Sequence, residues 1–328
     1  MTGAAWRAWH PVRVLPFLLL PASVALAQSD PSAMQWLQKI YAASEKLSYK
    51  GTFVYQQGTR VETSRIVHQA EPSGPRERLE TLDGVPREIV RTGDEVVCYL
   101  PQSMTIKIDK QPGRRPFPAI LSEQLKDVSE NYTVKKGDIE RVGGYTCQVL
   151  TLEPRDRMRY GHQLWADLNT GMLLRAKTFN DKNEMLEQFK FTQVKIGGPI
   201  SRDDLKPHYF RQGKGWHVED SGATQANLAE SGWTIRSKPP GFRTVAELMR
   251  TVGGTGGVGH IVLSDGLAAI SVFIEPATSR RPASQGGQAS QGAINVYTRP
   301  MGKYWVTVVG EAPAESVKYV ADAVEYHK

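Results

Sequence analysis

Short runs of alternating apolar and polar residues, separated by turns, constrain the fold of this chain more than any other feature. From Tyr49 to Gln56 the alternation has a period of two, which predicts a half-buried strand. Turn sequences such as Asp83-Gly84 and Gly143-Gly144 separate such runs and predict an antiparallel meander. The further runs are residues 60–69, 76–82, 88–92, 95–100, 104–109, 132–136, 145–152, 160–167, 173–180 and 185–196.

Helices are predicted around and within this meander. Asp30 followed by Pro31 is typical of a helix N-terminus, and the apolar spacing that follows predicts a short helix before the first strand. A second helix is predicted at residues 121–128. Near the C-terminus, residues 260–264, 267–274, 294–298 and 304–310 predict strands, and a helix begins at Pro313.

The N-terminus has the features of a cleaved signal peptide, and the rest of the chain is long enough for two domains. Arg7 and Arg13 precede an apolar run, residues 14–25, that is too short to span a bilayer and leads into the small-residue triplet 25–27. Residues 211–231 are glycine-rich and polar, which indicates a linker. The predicted division is a signal peptide at 1–27, a first domain at 28–210, the linker, and a second domain at 232–328.

Export from the cytoplasm argues against nucleic acid as a partner and makes a disulfide plausible. The two cysteines, Cys98 and Cys147, each lie in a predicted strand of the first domain. A bridge between them is the favoured interpretation. The alternative is that they are two small buried side chains that do not meet.

Catalytic and cofactor motifs are weak or missing in the sequence. A G-x-G-x-x-G pattern at Gly254, Gly256 and Gly259 precedes a strand rather than a helix, which contradicts a dinucleotide site and favours a flexible loop. The histidines are not spaced as metal ligands, and no G-x-S-x-G motif occurs. The sequence therefore predicts no enzyme, no metal and no cofactor.

Two groups of residues are candidates for binding, each with an ordinary alternative. Aromatic side chains of the large sheet could hold acyl chains or could simply form its core: Phe53, Tyr55, Trp165, Phe179, Phe189 and Phe191. Basic residues could bind an anionic headgroup or an acidic protein segment, or could be solvated surface: Arg76, Arg78, Lys107, Lys110, Arg114 and Arg115, with Arg155, Arg157 and Arg159 in a further loop.

Several long segments resemble the RseB/MucB family. In the second domain they are residues 232–242 (GWTIRSKPPGF), 264–275 (SDGLAAISVFIE), 293–298 (AINVYT) and 304–313 (YWVTVVGEAP). In the first domain, residues 49–55 (YKGTFVY) and 165–174 (WADLNTGMLL) match in the same order. These are strand and turn residues, so they identify a fold and a family without indicating an active site.

The resemblance implies an α+β protein with a large, curved antiparallel half-barrel like LolA and LolB, packed helices, and a smaller C-terminal α/β domain. It also implies a periplasmic negative regulator of the sigma-E envelope-stress response. Such a protein binds the periplasmic part of the anti-sigma factor RseA or MucA and shields it from site-1 proteolysis. Lipopolysaccharide or another acyl lipid releases it.

Two other functions stay open at this point. A curved sheet would also suit a periplasmic carrier of lipids or lipoproteins, although a carrier has no evident need for the second domain. An envelope hydrolase has only missing motifs against it. The sequence leaves open the lipid, the residues that contact the partner, and whether the chain forms a homodimer.

Overall fold

The computed structural model describes most of the chain after the predicted signal peptide. Residues 1–27, Arg114 and Arg115 lie outside the described residues, as does the side chain of Lys110. No helix within the described residues is long and apolar enough to cross a membrane. The described residues are 30–110, 121, 125–209, 215–252, 255–277 and 286–327.

The first helix, α1 (Pro31–Lys46), begins as the sequence predicts. The carboxylate of Asp30 accepts a hydrogen bond of 2.8 Å from the backbone N–H of Ser32, which satisfies one of the free donors of the first turn. Leu37 and Ile40 lie on its buried face. Lys39 Nζ donates to the carbonyl of Leu168, which fixes α1 against a turn of the sheet.

Twelve of the described strands form one sheet. Its order is β12-β6-β5-β4-β3-β2-β1-β11-β10-β9-β8-β7, and every ladder is antiparallel except that of β12 with β6. The strands are β1 (Tyr49–Gln57), β2 (Arg60–Gln69), β3 (Arg76–Thr81), β4 (Glu88–Thr92), β5 (Glu95–Leu100), β6 (Thr105–Lys110), β7 (Tyr132–Val142), β8 (Tyr145–Pro154), β9 (Gly161–Asp167), β10 (Leu173–Phe179), β11 (Met185–Ile196) and β12 (His217–Ser221).

This sheet is strongly curved. The turn between β7 and β8 reaches back to β11, although two strands lie between β8 and β11 in the sheet order. Tyr145 Oη donates to the carbonyl of Val194 at 3.1 Å. Gly143, at φ +57°, lies so close to the carbonyl oxygen of Phe191 that a Cβ atom there would be 3.1 Å from it. The curvature agrees with the predicted half-barrel.

Helices cover one face of the curved sheet. α1 and the short helix α2 (Leu125–Asn131) contact each other and β7. The buried cluster on this face joins Leu37 and Ile40 of α1 to Phe53, Ile66 and other strand residues. A short 3-10 helix, Pro101–Ser103, links β5 to β6.

The C-terminal region is a second, smaller antiparallel sheet of seven strands, with one helix on it. Its order is β13-β15-β16-β17-β20-β19-β18, and β14 pairs separately with β21. The elements are β13 (Ala223–Gln225), β14 (Trp233–Ile235), β15 (Arg243–Val252), β16 (Thr255–Ser264), β17 (Ala269–Pro276), β18 (Gly287–Gln291), β19 (Ile294–Met301), β20 (Tyr304–Gly310), α3 (Ala314–Ala323) and β21 (Val324–Tyr326).

The predicted linker contains two strands. Within residues 211–231, β12 extends the first sheet by pairing in parallel with β6, and β13 then joins the second sheet at β15. Backbone pairing at a sheet edge needs no apolar period, so the sequence pattern did not reveal them. Likewise Gly256 and Gly259 of the predicted flexible loop lie in β16.

Candidate functional site

The six candidate aromatic side chains divide between the two faces of the curved sheet. Directly paired residues of antiparallel strands point to the same side. Phe53 pairs with Phe191, and Tyr55 pairs with Phe189, so these four share one face. Their ring contacts connect them, with centroids 5.7 Å apart for Phe53 and Phe191 and 6.3 Å for Phe189 and Phe191.

Trp165 and Phe179 lie on the opposite face. Trp165 and the exposed Lys190 both pair with Arg175, so these three residues share one face. Phe189 pairs with Ala176, the next residue after Arg175, and therefore points to the other face. The Trp165 ring is covered by the guanidinium of Arg175, 4.4 Å from its centroid, and its Nε1 donates to Glu140 at 2.8 Å. Trp165 is therefore buried by charged side chains of its own sheet.

Little space remains between α1 and the sheet. A cavity of about 20 Å³, room for roughly one water molecule, is lined by Ile40, Tyr49, Leu121, Met172 and Leu173 among others. An acyl chain needs far more volume. Among the described residues, Phe53, Phe189 and Phe191 belong to the buried core cluster, and the cavity beside them is too small for an acyl chain unless α1 moves.

A buried polar row crosses the same face next to the aromatic residues. His68 pairs with Tyr49 and Glu77, and Glu77 pairs with Arg91. His68 Nδ1 is 2.8 Å from Glu77 Oε1, and Arg91 Nε is 3.3 Å from Glu77 Oε2. The Tyr49 ring stacks on His68 at 4.9 Å, and burial raises the pKa of the Tyr49 hydroxyl.

This buried row was not predicted from the sequence. The signal that could have found it is the charge at inward positions, because Glu77 and Arg91 occur where the strand period places core residues. Buried charges need partners, so inward acidic and basic residues in adjacent strands predict each other.

The six candidate basic residues do not form one site among the described residues. Arg78 is buried and held within the chain, with Glu88 at 3.0 Å and Glu80 at 2.9 Å. Lys107 lies 3.2 Å from Glu219 of β12. Arg76 is partly exposed at the start of β3. Arg114, Arg115 and the side chain of Lys110 are not among the described groups.

A groove of about 560 Å³ lies on the sheet face opposite α1. The segment 201–208 forms one wall, and its Asp204 is 3.7 Å from Lys50. Arg65 pairs with Glu80 at 3.4 Å. Because most of the positive charges around the groove already have carboxylate partners, its lining gives no strong preference for an anion.

The arginine-rich loop between β8 and β9 faces the second sheet. Arg159 is buried, and its Nη1 donates to Asp265 Oδ2 at 2.5 Å. The acidic partner expected for this loop is thus supplied for Arg159 by the same chain. Arg155 and Arg157 are exposed.

The predicted disulfide is absent from the structure. Cys98 and Cys147 are both free thiols, and their strands, β5 and β8, are separated by seven other strands in the sheet order. The prediction fails because a shared domain and compartment do not place two strands side by side. Burial raises the pKa of Cys147 to about 11, so its thiol stays protonated at neutral pH.

Comparison with known proteins matches both halves of the chain to one family. The model of the MucB/RseB N-terminal domain matches residues 32–209, and that of the MucB/RseB C-terminal domain matches residues 227–325.

Among similar proteins, the sigma factor AlgU regulatory protein MucB of Pseudomonas aeruginosa is 34% identical over 315 residues, covering 93% of this chain and 92% of that protein. The sigma-E factor regulatory protein RseB of Escherichia coli K12 is 24% identical, covering 92% and 93%. The structure of the Pseudomonas aeruginosa MucA/MucB complex matches with a TM-score of 0.72 at 28% identity, covering 90% of this chain and 99% of the matched chain.

Proposed function

The chain belongs to the MucB/RseB family, and from this membership we propose that it regulates a sigma factor by binding the periplasmic segment of a membrane-bound anti-sigma factor of the MucA/RseA type. The observation that carries the proposal is the match to MucB in complex with MucA, which extends over 90% of this chain and includes both sheets. Regulation by binding needs no catalytic step, and the similar proteins are named as regulators.

We propose that the two domains divide the task in the periplasm, after cleavage of residues 1–27. Residues 28–210 would sense lipid, residues 232–328 would bind the anti-sigma factor, and residues 211–231 would connect them. The two strands in that connection support a close mechanical link, because β12 belongs to the first sheet and β13 to the second.

The sensed lipid would be lipopolysaccharide or another acyl lipid, held on the face that carries Phe53, Tyr55, Phe189 and Phe191. Burial of each methylene group there would contribute roughly 0.8 kcal/mol. The small cavity under α1 means that lipid would have to displace the helix. Lys107, Lys110, Arg114 and Arg115 would be the residues for its anionic groups, whereas Arg76, next to the inward Glu77 in β3, points to the opposite face. Trp165 and Phe179 are not part of this proposal, because they lie on the opposite face.

Binding of this protein would shield the anti-sigma factor from site-1 proteolysis, and lipid would end the protection. If lipid and partner favour different arrangements of the protein, each weakens the binding of the other by the same factor. The mutual weakening is the central quantity to measure.

The test uses the mature chain, the periplasmic segment of the MucA-type anti-sigma factor of the same organism, and purified lipopolysaccharide. We expect tight binding of the segment, slower cleavage of the segment by the site-1 protease, and loss of both effects when lipid is added. Lipid binding without any binding of the segment would contradict the proposal and favour a lipid carrier.

A pair of α1 variants tests the position of the lipid. Ala43→Phe occupies the space under α1 and should weaken lipid binding, because Ala43 lines the cavity. Gln38→Phe adds the same ring on the exposed side of the helix and is the matched control. Equal lipid affinity for the two variants would place the lipid elsewhere.

A further inference from the structure

Three consecutive residues of the loop between β8 and β9 bind three different elements of the second domain. We call Met158, Arg159 and Tyr160 the interdomain clasp. Its contacts are a hydrogen bond of 2.8 Å from Ser316 Oγ of α3 to the carbonyl of Met158, one of 2.5 Å from Arg159 Nη1 to Asp265 Oδ2, and one of 2.9 Å from Asn295 Nδ2 of β19 to Tyr160 Oη.

The centre of the clasp is a fully buried ion pair. The side chains of Arg159 and Asp265 are both 0% exposed. Arg159 Nη2 also donates to Asp156 Oδ2 at 2.9 Å and to the carbonyl of Pro240. A buried charge without its partner is strongly unfavourable. Arg159 and Asp265 therefore either stay paired in the interior or become exposed to water together.

Asp265 connects the ion pair to the backbone of the second domain. Its Oδ1 accepts hydrogen bonds from the N–H groups of Leu267 and Ala268, which closes the turn between β16 and β17. Its Oδ2 accepts from Arg159 and, at 3.2 Å, from Tyr132 Oη. A movement of the Tyr132 hydroxyl therefore acts directly on this turn.

Tyr132 belongs to the core of the first domain and also binds Asp265, the partner of the clasp residue Arg159. It is the first residue of β7, its side chain is fully buried, and it is a member of the cluster under α1. The N-cap of α1 is joined to β7 by a hydrogen bond of 3.2 Å from the N–H of Asp30 to the carbonyl of Val134. A displacement of α1 would thus shift the start of β7, and with it Tyr132.

A second contact joins the domains at another place. Arg250 Nη1 of β15 donates to Asp109 of β6 at 2.7 Å, and Arg250 Nε donates to His260 Nδ1 at 2.9 Å. This pair is partly exposed, and it lies beside the β12 to β13 connection. Opening of the clasp would leave this attachment in place, so the domains could rotate without separating.

We propose that the interdomain clasp is the switch through which lipid and anti-sigma factor affect each other's binding. The closed clasp fixes the domain arrangement that binds the partner. Lipid under α1 shifts β7, withdraws the Tyr132 hydroxyl from Asp265 and favours the open clasp. This inference rests on the proposed function and adds the element whose two states both ligands bias.

The experiment measures the distance between spin labels at Lys182→Cys and Lys303→Cys, one in an exposed turn of each domain, with Cys98 and Cys147 replaced by serine. Tyr132→Phe removes the hydrogen bond to Asp265 and keeps the ring in the core. Asp265→Asn removes the negative charge that pairs with Arg159. Tyr145→Phe is the matched control, because the Tyr145 hydroxyl also donates one hydrogen bond, to the carbonyl of Val194, but within the first domain. Circular dichroism and the melting temperature show that each variant is folded.

We expect one narrow distance distribution for the unmodified clasp and a broader one after addition of lipopolysaccharide. Tyr132→Phe and Asp265→Asn should broaden it without lipid, lower the affinity for the anti-sigma segment by about tenfold, and reduce the further effect of lipid. Tyr145→Phe should leave the distances and the segment affinity unchanged.

Unchanged distances in both clasp variants would overturn the inference, and so would altered distances with unaltered segment affinity. If the parent protein does not bind the segment at all, the proposed function fails, while the distance measurements still decide whether the clasp sets the domain arrangement. The two failures are therefore distinguishable.

Discussion

The two sheets place their buried polar groups differently. In the first sheet, His68, Glu77 and Arg91 form a row inside the sheet's own core, beside the cavity under α1. In the second, the core under α3 is an apolar cluster that includes Leu263, Ile270, Val272 and Val308. Its buried Asp265, Asn295, Ser316 and His260 instead serve the contacts with the first domain.

This difference implies that the core of the second domain is rigid, whereas the core of the first domain can rearrange. An apolar core packed under one helix has a single well-defined arrangement. The core of the first domain contains the ionic row and a small cavity. Opening this core costs less free energy, because water can solvate the ionic groups that become exposed. The first domain is thus the better candidate to accept a lipid, and the second to transmit its effect.

The largest effect we expect comes from removing the centre of the ionic row. Glu77→Ala leaves the buried Arg91 and His68 without their shared carboxylate and should lower the free energy of unfolding by about 3–5 kcal/mol. Urea denaturation measures it. Glu153→Ala breaks an exposed pair with Lys135 and should cost less than about 1 kcal/mol. Equal losses for the two variants would show that the buried row contributes no more to the free energy of unfolding than an exposed ion pair.

The apolar core of the second domain should respond to volume rather than to charge. Leu263 is fully buried, so Leu263→Ala should cost about 2–5 kcal/mol through lost burial and the cavity left behind. Leu263→Met keeps the volume and should cost less than about 1.5 kcal/mol. Similar losses for both substitutions, again measured in urea, would contradict the distinction between the two cores.

A dependence on pH should be common to both domains. Burial lowers the pKa of His162 in the first sheet to about 4, and burial with the nearby Arg250 does the same for His260 in the second. The unfolded chain binds these protons near pH 6.5. Stability should therefore fall as the pH decreases from about 6.5 to 4, by roughly 3 kcal/mol for each histidine.

Single substitutions separate these histidines from the carboxylates that titrate nearby. His162→Gln and His260→Gln should each flatten the decrease between pH 6.5 and 4 in thermal unfolding. Comparison at pH 7.5 gives the cost of the lost contacts alone. A decrease as steep as that of the parent protein in both variants would assign the pH dependence to other groups.

The sequence predicted the fold where the pattern of side chains decides the structure. Alternation identified strands such as β1, β8 and β11, and the Asp30-Pro31 pair identified the start of α1. It did not identify β12 and β13, because these polar strands are held by backbone pairing at sheet edges. The sequence pattern also does not predict the register that places Trp165 and Phe189 on opposite faces of the sheet, because that register depends on which strands become neighbours.

The candidate site was predictable in composition but not in arrangement. The arginines of the loop 155–160 predict an anionic partner, and Arg159 binds a carboxylate, yet nothing local in the sequence indicates that the carboxylate is Asp265, more than a hundred residues away. The disulfide failed for the same reason. Pairings between distant residues follow from the sheet order, which short-range patterns do not contain.

The smallest effect we expect concerns the edge of the aromatic face. Tyr55 Oη donates to Glu187 Oε2 at 2.6 Å, and burial together with that carboxylate raises the pKa of Tyr55. Tyr55→Phe removes one hydrogen bond and keeps the ring, so it should lower the free energy of unfolding by about 1 kcal/mol, measured by urea denaturation. Lipid affinity should be unchanged, because an acyl chain contacts the ring and not the hydroxyl. A marked loss of lipid affinity would instead make Tyr55 and Glu187 a polar contact for the headgroup, and would move the proposed lipid from the face under α1 to its rim.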